Sequence, residues 1–102
     1  MIELNTAEAI VVASLREVFA QTDLPPPEAI TGDTVLVGKD AVIDSLGVVS
    51  LIVEVEQRLE TEHAISVVLA NDKAMSQRNS PFRTVAVLTE HLLSTAREAT
   101  AQ

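Results

Sequence analysis

The sequence predicts an all-α fold: a small bundle of four helices, three long and one short, with a long loop after the first. Three observations carry this expectation. Apolar residues recur at helical spacing in three segments, clusters of prolines and small polar residues separate those segments, and 102 residues that are 47% hydrophobic suit one compact domain with a modest core. The domain is expected to occupy 1–102, with its core at about 5–93 and with 94–102 as a helix extension or a frayed tail.

The first helix begins at Asn5, a candidate cap with Glu8 three residues on. Val11, Leu15, Val18 and Phe19 then repeat on one face up to about Ala20. The run DLPPP, Asp23 to Pro27, stops it, because consecutive prolines remove backbone donors and forbid a helical turn. A connection from Leu24 to about Asp44 follows, holding Gly32, Gly38 and two apolar patches, Val35 to Val37 and Val42 to Ile43. Loops this long in small domains are functional or are packed by their own side chains.

The stretch AVIDSLGVVSLIVEVEQRL, Ala41 to Leu59, contains the second helix. Its β-branched residues suggest a buried strand, but its length decides for a helix. Val49, Ile52, Val55 and Leu59 form the expected inward stripe, and Glu54 and Arg58 stand four apart as a supporting pair on another face. The segment AISVVLANDKAM is ambiguous: an extended piece at Ile65 to Val68, then one or two helical turns that supply the short helix. After the breakers SQRNSP the last helix starts near Thr84, with Val85, Leu88 and Leu92 on one face. The chain has no internal repeat.

Composition removes several functions. The absence of cysteine excludes disulfides, a redox pair and thiolate metal sites. No apolar run is long enough to span a bilayer, and MIELNTAEAI lacks the positive flank and apolar core of a secretion signal, so a cytoplasmic protein is expected. Acids outnumber Lys and Arg 15 to 7 and aromatics make up 2% of the chain, which argues against nucleic acid as a partner. The charge is uneven: residues 1–72 hold thirteen acids and three bases, residues 73–102 four bases and two acids. An electrostatic partner therefore meets the two ends differently.

Ser45 falls at the start of the second helix, where unpaired N–H groups and the positive end of the dipole favour an anion. A plain capping role accounts for Asp44 and Ser45 taken alone. The longer stretch DTVLVGKDAVIDSLGVVSLIVEVEQRL, from Asp33 to Leu59, resembles the carrier proteins of fatty-acid, polyketide and nonribosomal peptide synthesis. The resemblance rests on Asp33 and Leu36 in the first loop, then Asp44-Ser45-Leu46, then a helix with apolar spacing like Val49, Ile52, Val55 and Leu59. Downstream, AIS and RTVAVLTEHL resemble the family's later segments, so the likeness spans roughly Thr6 to Leu93.

The resemblance implies that a phosphopantetheinyl transferase moves 4'-phosphopantetheine from coenzyme A onto the Ser45 hydroxyl, and that the carrier itself catalyses nothing. The thiol of the arm holds an acyl or aminoacyl group as a thioester and presents it to ligase and transferase enzymes. Asp44 would stand beside the phosphodiester and aid recognition by the transferase. Leu46, Gly47, Val48, Ser50, Val53 and Glu56 would be the positions that partners read. The implied protein is a free-standing monomeric carrier, an expectation to which Met1 and the Ala-Thr-Ala-Gln end contribute.

The chain departs from the family pattern at Gly47 and Ser50, where fatty-acid carriers more often have acids. With IDSLG it looks closer to D-alanyl carriers, which points to a specialised pathway. The segment NDKAMSQRNSPF, with the Arg83 that follows it, brings Lys73, Arg78 and Arg83 together as a locally basic surface, either a solvated loop or a contact for the arm's phosphate or an acidic partner. A serine hydrolase would need a base near Ser45, and nothing in the sequence brings His63 or His91 there. Two isolated histidines among scattered acids match no metal-ligand spacing. The rival reading is an interaction module with a carrier-like fold whose Ser45 is never modified.

Overall fold

The computed structural model describes residues 2–70 and 80–100 of the chain. Three helices occur among them: α1 (Leu4–Gln21), α2 (Ser45–His63) and α3 (Val85–Thr100). α1 packs against both other helices, and one continuous apolar core joins all three with Leu36, Ile43, Ile65, Leu69 and Phe82 from the connections. The described residues thus form a small helical bundle without strands. Residues 64–70 are not helical, and the rest of the region expected to supply a short helix lies outside the described residues.

α1 starts earlier than the sequence suggests. Glu3, with extended backbone, takes the N-cap position without a side-chain cap bond, and its carbonyl accepts the Ala7 N–H at 2.9 Å. Asn5 therefore lies inside the first turn. Ile2 is buried just ahead of Glu3, and burying it outweighs a solvent-exposed cap. Ala7, Ile10, Val11, Leu15, Val18 and Phe19 then form the buried face at steps of three and four. The helix ends at Thr22, whose backbone is extended, three residues before the proline run.

The long loop is packed, and it completes the start of α3. The N–H groups of Leu36 and Val37 donate to the Arg83 carbonyl at 2.8 and 3.3 Å, and Val35 makes an isolated antiparallel bridge with Thr84. In return, Val85 and Ala86 donate to the carbonyls of Thr34 and Gly32 at 3.1 and 2.9 Å. Val87 donates to Thr84 Oγ1 and Leu88 to the Thr84 carbonyl. Of the N–H groups that a helix start leaves open, those of Val85, Ala86 and Val87 are met, two of them by the loop. Close approach needs a small residue at Gly32, where an added Cβ would lie 3.3 Å from Ala86 Cβ.

α2 is a helix as expected, but its inward stripe differs by one member. Ile52, Val55 and Leu59 are buried, whereas Val49 is 59% exposed and Leu51 takes its place in the core. The apolar content of α2 is high on nearly every face, so spacing alone admits both phases. Contact with α1 selects the Leu51 face. Arg58 stands 3.7 Å from Glu54, as the four-residue spacing implies, and 3.6 Å from Glu62. α2 closes on Ala64 in the left-handed conformation (φ 55°), with Ala64 and Ile65 N–H groups returning to the Glu60 and Leu59 carbonyls.

Leu69 ties α2 to α3. Its side chain is fully buried, its N–H donates to Glu56 Oε2 at 2.8 Å, and its carbonyl accepts from His91 Nε2 at 2.8 Å. Phe82 meets the His91 ring edge-on, with centroids 5.6 Å apart. Val85, Leu88 and Leu92 are all buried, as their spacing predicts, and α3 continues past Ser94 rather than ending there. No helix among the described residues is long and apolar enough to cross a membrane.

Candidate functional site

Asp44 starts α2. Its Oδ1 accepts the Gly47 N–H at 2.8 Å and its carbonyl accepts the Val48 N–H at 3.0 Å. This cap makes Ser45 the first helical residue, with its side chain exposed and with the Ser45 and Leu46 N–H groups at the open end of the first turn. The sequence thereby places a hydroxyl at the positive end of a helix dipole. Because Asp44 uses one carboxylate oxygen on the backbone, its position relative to Ser45 is set by the helix start itself.

Ser45 borders an apolar groove of about 410 Å³, walled by Leu36, Val37, Gly38, Ala41, Ile43 and Val48. Its one charged lining group is Asp44. The groove exists because the long loop folds over the start of α2, with Val42 N–H donating to the Val35 carbonyl at 2.9 Å and Leu36 and Ile43 anchored in the core. Gly38, at φ 112°, turns the chain at the rim in a conformation other residues rarely adopt.

The partner-facing positions read from sequence divide into three groups. Leu46 (78% exposed) and Val53 (45%) form an apolar ridge on the outer face of α2, with Ser50 exposed beside them. Val49 belongs to the same ridge, which sequence reasoning assigned to the core. Its steps, three from Leu46 and four to Val53, are the signal that could have placed it there. Val48 is half-buried and packs on the core as a groove wall.

Gly47 and Glu56 are held within the packing of the fold. Gly47 is buried, and an added Cβ would lie 2.8 Å from Ile43 Cβ, so this position packs closely beneath the helix start. Glu56 is half-buried, and its carboxylate is engaged by the Leu69 N–H within the fold.

Neither histidine lines the groove beside Ser45: His63 is exposed in the last turn of α2, and His91 is bound to Leu69. No three His, Cys, Asp or Glu among the described residues are grouped as metal ligands. Of the basic segment, Lys73 and Arg78 lie outside the described residues. Arg83 is exposed, and its backbone carbonyl holds the long loop. Comparison of the chain with family models, curated proteins and solved structures returned no match.

Proposed function

We propose that the chain is a carrier that holds an acyl or aminoacyl group as a thioester on a 4'-phosphopantetheine arm esterified to Ser45. The observation that carries this reading is the placement of Ser45: an exposed hydroxyl at the first position of α2, fixed by the Asp44 cap, between an apolar groove and an apolar ridge. A phosphodiester there gains the field of the helix start and the first-turn N–H groups. The groove offers Leu36, Ile43 and Val48 to the apolar part of an arm. The ridge of Leu46, Val49 and Val53 gives an arriving enzyme an apolar contact next to the modified residue.

In attachment, the Ser45 oxygen forms a new bond to the phosphorus that bears pantetheine, and the bond from that phosphorus to the adenosine bisphosphate half of coenzyme A breaks. The hydroxyl proton leaves through the transferase. The arm supplies the thiol that this chain, having no cysteine, lacks. The same reading includes a short fourth helix between α2 and α3, a monomeric cytoplasmic protein, and acyl or aminoacyl ligases as partners that load the arm. With Ser50 rather than an acid on the ridge, the contact is more apolar than electrostatic, and a specialised pathway fits it better than general fatty-acid synthesis.

Incubation with coenzyme A and a broad-specificity transferase, followed by intact mass, tests the assignment. The wild type should gain one phosphopantetheine and Ser45→Ala none. An unchanged wild-type mass with an active transferase would overturn the carrier reading in favour of an unmodified interaction module.

A further inference from the structure

Asp44 lines two clefts. Ser45 shares the first. The second, about 350 Å³, is closed by the chain leaving α1: Thr22, Asp23 and Leu24 form one wall, and Leu46, Gly47 and Ser50 the other. The packing of the bundle does not account for the exposure of Leu46 at its mouth, which at 78% is the greatest of any large apolar residue described. Leu24 opposite is half-buried against the core. Pro25, Pro26 and Pro27 follow directly, and their fixed φ holds this wall in place before anything binds.

The chemistry of the cleft is one-sided. Its polar groups are the carboxylates of Asp23 and Asp44 and the hydroxyls of Thr22 and Ser50, with no base among them. Residues 1–72, which include the cleft, carry thirteen acids and three bases, so an anion or a second copy of the same face is repelled. An apolar slot with an acidic rim matches a long cationic side chain, whose methylene stem lies between Leu24 and Leu46 and whose charged head meets Asp23. Any enzyme that reaches the Ser45 hydroxyl approaches this rim, because Leu46 is the next residue in the same turn of α2.

We propose that the Leu24–Leu46 cleft receives an arginine or lysine side chain of the phosphopantetheinyl transferase, making Asp23 and Leu24 recognition residues for the modification of Ser45. This inference rests on the carrier reading. It adds the chain leaving α1 to a recognition surface that the sequence placed on α2 alone.

The test uses the whole chain with coenzyme A in excess and a broad-specificity transferase, following the initial rate of mass gain against carrier concentration. Asp23→Asn and Leu24→Ala should each raise KM about tenfold while leaving kcat within about twofold, the pattern of a lost docking contact. Asp23→Asn should also flatten the dependence of KM on salt. Glu8→Gln, the same change of charge on an exposed site of α1, should alter neither. Asp23 is exposed, so its variant remains informative if Leu24→Ala loosens the fold. Mass gain with a wild-type KM in Asp23→Asn would overturn the cleft proposal alone. No mass gain in the wild type would overturn the carrier reading and the cleft with it.

Discussion

Gly47 shows how one position changes meaning between sequence and structure. Read along the chain it is a missing acid on a docking face; in the fold it is the close contact that lets Ile43 pack beneath the first turn of α2, with 2.8 Å between Ile43 Cβ and any Cβ added at 47. Gly47→Ala gains about 1 kcal/mol of helix propensity but meets an overpacking cost of about 1–3 kcal/mol. A net loss of about 1 kcal/mol is expected in urea unfolding, and Gly47→Asp should lose more. Ser14 makes the opposite case. It is fully buried on α1 and its hydroxyl has no hydrogen-bond partner among the described residues. Ser14→Ala should therefore stabilise the protein by about 1 kcal/mol, by removing an unmet polar group and by improving helix propensity. A fall in the unfolding midpoint would mean that the hydroxyl is bonded in solution.

At the scale of the element, α2 carries the sharpest test of the fold, because its valines, leucines and isoleucine fit more than one inward face. Leu51→Asp and Ile52→Asp should each bury an unpaired charge and unfold much of the bundle. Val49→Asp and Ser50→Asp, both on the outer face, should stay within about 0.5 kcal/mol of the wild type by thermal unfolding. Similar stability for the Leu51 and Val49 variants would refute the phase described here. The last turn of α2 offers a smaller effect. Ala64 adopts a left-handed conformation suited to glycine, so Ala64→Gly should add about 0.5 kcal/mol, the relieved backbone strain less the entropy of a freer unfolded chain.

For the whole molecule, cohesion depends on connections between helices as much as on the helices. Glu56 and His91, 35 residues apart in sequence, hold opposite sides of the single peptide residue Leu69. Glu56→Ala removes a charged acceptor from a part-buried N–H, and a loss of about 2 kcal/mol is expected. Hydrogen exchange at the Leu69 amide should quicken accordingly, whereas Glu60→Ala, on the exposed side of the same helix, should leave it unchanged. The long first loop plays a matching part at the start of α3, which the carbonyls of Gly32 and Thr34 complete. Several polar backbone groups between Thr31 and Val42 are paired in this way, which holds that part of the long segment to the bundle.

The existence of the three long helices, the proline stop after the first, the inward face of α3 and the serine at the start of α2 were all legible in the amino-acid order. Each depends on spacing or on capping between residues a few positions apart, and such relations survive without knowledge of the rest of the chain. Other features depended on which distant segments meet. Val49 and Leu51 could not be sorted into outside and inside until α1 chose a face of α2. Glu56 could not be distinguished from a free surface acid until Leu69 arrived beside it. The cleft of Leu24 and Leu46 joins residues 22 positions apart, and no local pattern announces it. Burial and pairing are properties of two surfaces in contact, so a single stretch of sequence carries only half of the information that decides them.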